Sequence, residues 1–271
     1  MPERHVQRFG RVDRTLHGFL MLSFLGLAAT GLPVLFSGAP WGGRLAALFG
    51  GFGAAHVLHR LFATTMIVVF ATHLGRLVYR VVSLKDYGVF WGPASMVPQP
   101  ADLSGIYRQF RWFFGRGPQP VFDRYTYWEK FDYWAVFWGM GIIGGSGLIL
   151  WFPVPFSTFL PGWIYNIALL VHGEEALLAV GFIFTIHFFN GHLRPGKFPM
   201  DMVIFTGRVT EEELKEERPA EYAREAAAGR LAFTSPPSRR AWIAGRIIGA
   251  TAVAVGLSLV SLIIYAVASS S

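Results

Sequence analysis

The chain has 271 residues, of which 53% are hydrophobic, 16% aromatic and only 15% charged, with a formal net charge of +7. Soluble domains carry about 25% charged residues, so this composition argues against an ordinary soluble enzyme and for the membrane class. With no cysteine, the chain by itself cannot hold a disulfide, a thiolate zinc site, an iron–sulfur cluster or a covalently attached c-type haem. Histidine is then the expected ligand for any metal, and no nucleic-acid partner is expected.

In chain order, the basic lead "MPERHVQRFGRVDR" is expected to lack a cleavable signal, because no small-residue cleavage site follows it at the right distance. A helix needs about 20 mostly apolar residues to cross the hydrocarbon core. Five stretches meet that need, at roughly 16–36, 55–82, 132–152, 164–190 and 242–268. Between the second and third, residues 83–131 are rich in Tyr, Trp, Phe and Arg, and are expected to fold against the membrane surface. After the fourth, "TEEELKEERPAEYAREAAAGR" (210–230) reads as a charged helix interrupted at Pro219, and "TSPPSRR" (234–240) as a linker into the last span. Gly245 and Gly249 stand in the fifth span at the small-xxx-small spacing that lets helices approach closely. The expected organisation is a membrane domain over 1–230, and a linker with an extra transmembrane helix over 231–271.

Positive residues set orientation. They cluster in the N-terminal arm (Arg4, Arg8, Arg11, Arg14), around the 83–131 segment (Arg76, Arg80, Lys85, Arg108, Arg111, Arg116, Arg124, Lys130) and after the fourth span (Arg194, Lys197, Arg208). Outside the spans, the opposite side has only Arg44. The expectation is therefore a multi-pass all-α protein with its N-terminus cytoplasmic and its C-terminus outside.

Eight histidines are present, and most lie in or beside the spans. His59 and His73, 14 residues apart on the second span, fall within about 40° and ~21 Å of each other in an α-helix. His172 and His187, 15 apart on the fourth, fall within about 60° and ~22 Å. His56 lies about 100° off the face of His73. Both helices run in one direction, so His59 shares a depth with His172 and His73 with His187; His17, opening the first span, is at the lower depth too. Two layers of facing imidazoles suit two b-type haems, each iron taking one imidazole from either side. Ala55, Ala63, Gly173, Ala176 and Gly181 leave room for the ring. Arg60 either pairs with haem propionates or snorkels to the interface. The rival readings are a haem-free transporter or proton relay using the His and Glu residues, and a structural membrane anchor. Glu174 and Glu175, acidic residues within a span, face either a water path, a partner or interfacial water.

Several stretches carry a family resemblance: "DRTLHGFLMLSFLGLAATGLPVLF", "HRLFATTMIVVF", "EKFDYWAVFWGMGIIGGSGLILWFP", "VHGEEALLAVGFIFTIHFFNGHLRP" and "TGRVTEEELKEERPAEYARE". In their order and spacing, over roughly residues 9–225, they resemble the membrane cytochrome b (gamma) subunits of respiratory formate dehydrogenases and their relatives in nickel–iron hydrogenases and thiosulfate reductases. The "WGMGIIGGSGLILWFP" and "NGHLRPGKFPMD" stretches look closer to b-type subunits that work with multihaem c-type cytochromes. The resemblance implies two haem b groups. It assigns the outer one to His59 and His172, and the inner one to His187 with His17. His73 has no counterpart in that pattern, and competes with His17 for the same coordination position. A quinone pocket is implied just before the third span, where "RYTYWEKFDYW" places Tyr125, Thr126, Glu129 and Lys130; an aromatic interface belt with snorkelling charges is the plainer reading of that stretch. The implied function is electron transfer across a bacterial inner membrane between menaquinone or ubiquinone and an outside partner, an iron–sulfur or multihaem c-type cytochrome subunit. The chain is then a subunit of an oxidoreductase complex, either non-catalytic or reacting with quinone. The fifth span departs from the four-helix family pattern.

Overall fold

The computed structural model describes residues 3–194 and 196–269. A short strand β1 (His5–Gln7) leads into the helix α1 (Arg11–Leu35), followed by α2 (Pro40–Leu48), α3 (Phe52–Val82), α4 (Pro100–Phe113), α5 (Tyr127–Trp151) and α6 (Trp163–Leu193). Then come β2 (Arg208–Thr210), α7 (Glu211–Glu217), α8 (Pro219–Ala227), β3 (Phe233–Thr234) and α9 (Arg239–Ser269). Five of these helices, α1, α3, α5, α6 and α9, are long and apolar enough to cross a membrane. Each covers one of the five expected stretches, and several begin a few residues earlier. Gly50 and Gly51, both at positive φ (92° and 97°), make the turn into α3; only glycine adopts that backbone without strain.

Two helices depart from regular α geometry. α5 contains a π turn at Met140–Gly144, and α6 contains two, at Ile183–His187 and Phe189–Leu193. A π turn holds one residue more than an α turn, which opens the i→i−4 ladder and shifts the phase of everything beyond it.

The chain divides into two compact units. The apolar unit takes Thr15–Phe70, Val136–Asp201 and the stretch from Arg246 on. Its core is Ala28, Leu32, Trp41, Val180, Phe184, Phe188, Leu259 and Ala266. Here α9 lies hard against α6: a Cβ on Gly256 would stand 2.6 Å from the Phe184 ring and 2.7 Å from that of Phe188. The close approach of this helix to another long helix is thus at Gly256; Gly245 and Gly249, at the small-xxx-small spacing, are buried, and Gly245 faces Met202 and Phe205. Along α5 most residues are half-buried, with Phe131, Trp134 and Trp138 exposed.

The polar unit takes the N-terminal segment up to Arg14, Ala71–Ala135 and Met202–Gly245. Its sheet has the order β2-β1-β3, antiparallel throughout, with Val6 opposite Val209 on one side and Phe233 on the other. The N-terminal arm, read from sequence as a basic lead, is therefore the central strand of a small sheet. Val6, Val203, Val209 and Leu214 form a satellite core beneath it. Ion pairs tie the rest together. Buried Glu221 takes both Arg8 and, at 2.7 Å, Arg124. Arg224 pairs with Asp123 at 2.7 Å, Arg218 with Glu129 at 2.9 Å and Lys130 with Asp102 at 2.9 Å. Residues 210–230 form α7 and α8 with a break at Arg218; the Thr210 hydroxyl caps α7 by accepting from the Glu213 N–H at 3.1 Å.

Two expected outcomes follow from these charges. Removing one partner of a buried ion pair leaves uncompensated charge and costs about 3–5 kcal/mol. Glu221→Ala, which strands two guanidiniums, is expected to loosen the unit by about that much, read as faster proteolysis of the N-terminal arm. Glu211 accepts from the Tyr222 hydroxyl at 2.7 Å and pairs with Lys215 at 2.9 Å; the Tyr222 bond first and Lys215 second hold its carboxyl below the usual range. The resulting stability is complete above the ordinary carboxylate range and is lost as pH falls through the lowered native value. Glu211→Gln should flatten the acid limb of a proteolysis-versus-pH profile.

Candidate cofactor site

Four helices of the apolar unit converge on two histidines. His59 on α3 and His172 on α6 face each other, with ring centres 6.2 Å apart and planes at 74°. Both are half-buried, and both are held through Nδ1. The His172 Nδ1 stands 3.0 Å from the Ile143 carbonyl and 3.3 Å from the Ser146 hydroxyl, both on α5. A carbonyl only accepts, so the neutral ring carries its proton on Nδ1 and leaves the Nε2 lone pair free for a metal. Ile143 lies in the π turn of α5, where the opened ladder makes a carbonyl available to a side chain. For His59, the Thr30 hydroxyl on α1 donates to the Gly26 carbonyl at 2.6 Å, so its oxygen is the acceptor for His59 Nδ1–H at 3.1 Å. The Thr30 side chain is fully buried.

Glycine makes the space for both rings. A Cβ on Gly31 would come within 3.0 Å of His59 Cε1, and one on Gly147 within 3.0 Å of His172 Cε1. Each glycine directly follows the hydroxyl residue that supports the same ring, as Thr30–Gly31 and Ser146–Gly147. Of the small residues singled out from sequence, Ala55 is fully buried, Gly173 packs near Leu35 and Gly181 faces open space; Ala63 and Ala176 are half-buried. The sequence reading missed Thr30, Gly31, Ser146 and Gly147. A signal was available, the pairing of a hydroxyl residue with glycine inside two separate apolar spans.

The arrangement fits an iron between two imidazoles. With a metal–nitrogen bond of about 2 Å on each side, and each ring centre about 1 Å beyond its nitrogen, axial ring centres lie about 6 Å apart. The Nδ1 partners are the outer contacts that fix ring orientation in such sites. Among the described residues, no group of three or more His, Asp or Glu is placed to hold a metal ion.

The other histidines divide between the two units. In the apolar unit, His17 is half-buried within electrostatic reach of His187 and His192. The Phe188 ring neighbours the last two, its centre 6.4 Å from that of His187 and 6.2 Å from that of His192. His187 closes the first π turn of α6. In the polar unit, His73 Nε2 is hydrogen-bonded to the Tyr133 hydroxyl at 2.9 Å. His56 is exposed and bonds its own helix at the Phe52 carbonyl. Arg60 is exposed, with its guanidinium 5.6 Å from the Trp151 ring. Glu175 accepts from the Trp138 indole at 3.2 Å, and Glu174 is exposed.

The four residues named for a quinone lie together in the polar unit. Thr126 and Glu129 form a capping box at the start of α5. The Glu129 carboxylate accepts from the Thr126 backbone N–H and hydroxyl, both at 2.7 Å, and also from Arg218 at 2.9 Å. Glu129 is thereby engaged in holding the helix start to α8. Tyr125 and Lys130 line a cleft of about 240 Å3 that also includes Asp102, Arg108, Asp123 and Tyr127.

No protein-family model and no curated protein sequence matches the chain. The class defined by fold and site is a helical protein with five segments long and apolar enough to cross a membrane, and a facing histidine pair set among four of them. In 15N spectra of the metal-free chain, His59 and His172 are expected as Nδ1–H tautomers; an Nε2–H tautomer at His172 would contradict the Ile143 bond.

Proposed function

We propose that the chain is a di-haem cytochrome b subunit that carries electrons across a bacterial inner membrane, between a quinone and a redox partner on the far side. The observation that carries this reading is the His59–His172 pair, with both Nδ1 atoms tied to the helices and ring centres separated by the span of a bis-imidazole iron site. His17 grouped with His187 supports a second haem, and the engagement of His73 Nε2 by Tyr133 favours His17 over His73 as its ligand. The arginine-rich segments support a cytoplasmic N-terminus and an outside C-terminus. Haem, when bound, supplies reversible one-electron chemistry. The protein supplies fixed ligand nitrogens, an apolar surround that keeps water from the edge of the ring, and Arg60 at the His59 end of α3 as a propionate partner.

Quinol oxidation releases two electrons and two protons, so the quinone end needs proton groups. The His73–Tyr133 pair is one, its imidazole and phenol joined by a hydrogen bond of 2.9 Å. In the cleft, Tyr125 and Lys130 are donors for the carbonyl oxygens of a quinone head group, and Thr126 with Glu129 holds the adjoining helix start. The direction of flow is set by the potentials of quinone and partner. An iron–sulfur or multihaem c-type cytochrome subunit is the partner class proposed from the resemblance described above.

Haem counted per purified chain tests the ligand scheme. The unmodified chain is expected to hold two low-spin b haems, while His59→Ala, His172→Ala and His17→Ala each hold one and His73→Phe keeps both. Gly147→Val should lose the same haem as His172→Ala, since the added methyls occupy the space of the ring. A chain with no b-type absorbance in reduced-minus-oxidised spectra would overturn the haem reading and leave a proton relay or an anchor. For the quinone end, Tyr125→Phe and His73→Phe are each expected to slow quinol-driven haem reduction about 100-fold with haem content unchanged.

A further inference from the structure

α4 carries an apolar face that nothing in the chain covers. Leu103, Tyr107, Phe110 and Phe114 recur at the spacing of one helical stripe, within about 60° around the axis. They are 71%, 64%, 57% and 74% exposed. The opposite side is tied down: Gln109 is buried, and Asp102 holds Lys130 through both carboxylate oxygens at 3.0 and 2.9 Å. The exposed stripe is therefore the outer face of a docked helix.

Arg111 borders the stripe, about 70° from its centre, while Arg108 stands further round the helix at the edge of the cleft and Arg116 follows the helix end. Arg108, Arg111 and Arg116 are exposed, and among the described residues none of them pairs with a carboxylate. Arg108 reaches only the Ser104 hydroxyl, while Arg111 bonds the Arg116 carbonyl and leans toward the Tyr107 ring, 5.8 Å from its centre. An apolar stripe with aromatic residues, accompanied by unpaired arginines, is complementary to the boundary between acyl chains and anionic head groups. Chain connectivity points to the same occupant. α3 ends at Val82 and α5 begins at Tyr127, so α4 is leashed at both ends to helices long and apolar enough to cross the bilayer.

We propose that α4 is an interfacial helix that binds anionic phospholipid, with Leu103, Tyr107, Phe110 and Phe114 dipping among the acyl chains and Arg108, Arg111 and Arg116 on the head-group phosphates. This inference rests on the membrane placement of the spans and is independent of the haem reading. An exposed stripe of the same kind on a soluble-facing helix would instead await a protein partner, and the experiment separates the two.

The natural chain has no cysteine, so single labels can be placed without background. Leu103→Cys, Phe110→Cys, Ala101→Cys and Ser104→Cys variants of the full chain are spin-labelled in nanodiscs of phosphatidylcholine, with or without phosphatidylglycerol. Labels at 103 and 110 are expected about 5–10 Å below the phosphates, open to oxygen and shielded from a polar nickel chelate. Labels at 101 and 104 should remain open to the chelate. Phosphatidylglycerol should deepen the first pair, and combining Arg108→Gln, Arg111→Gln and Arg116→Gln should abolish that deepening. Equal chelate access at all four positions overturns the proposal in favour of a protein-facing stripe. Burial that ignores phosphatidylglycerol overturns the anionic-lipid assignment. Haem content, measured on the same samples, reports separately on the cytochrome reading.

Discussion

A polar ring placed among apolar helices must find its hydrogen-bond partners within the protein, because a surrounding of hydrocarbon offers none. For His59 and His172 those partners are one hydroxyl on α1 and one carbonyl with one hydroxyl on α5. The requirement reaches well beyond the two rings. It explains a fully buried threonine in an otherwise apolar span, the two glycines whose missing Cβ atoms make room for imidazole edges, and a widened turn that turns a main-chain carbonyl away from its own ladder. Four helices are registered against one another by these contacts, each helix giving or receiving at least one.

The polar unit solves a different problem by different means. It has little apolar core, with four buried hydrophobic side chains in its satellite cluster among the described residues, and relies on paired charge. Glu221 gathers two arginines from distant stretches of chain, and Glu129 joins a helix start to α8. Isolated exposed ion pairs contribute little, but buried networks specify which segments meet, since any other pairing would strand a charge. The arginines that mark one side of the chain in the sequence thus have a second role, as fasteners within that side.

The spans and the histidine spacings are legible in the sequence because both rest on long periodic signals: runs of 20 or more apolar residues, and imidazoles repeated along two of them. What is not legible has no such period. The strands are two or three residues long, too short for alternation to register, so the N-terminal arm reads as a basic lead although Val6 lies at the centre of a sheet. The π turns are equally silent. Placing His187 relative to His172 by regular α geometry ignores the residue inserted at Ile183–His187, which moves the phase by about 100°. Nor does the sequence show that Thr126 and Arg218 both bond the Glu129 carboxylate. The rivalry of His17 and His73 is open in the sequence because both suit the same depth; the sequence likewise gives no sign that His73 meets the Tyr133 phenol, 60 positions away along the chain.

The sheet that threads β1 between β2 and β3 has a consequence for how the protein is made. His5–Gln7 cannot pair until Arg208–Thr210 and Phe233–Thr234 have left the ribosome. At synthesis rates of about 5–20 residues per second, the first strand waits roughly 10–40 s with both edges unpaired. During that interval the four long apolar helices between the strands are synthesised. The sheet can close only after they have been made, so it acts as a late clasp and favours chains that have been translated past their fourth long helix.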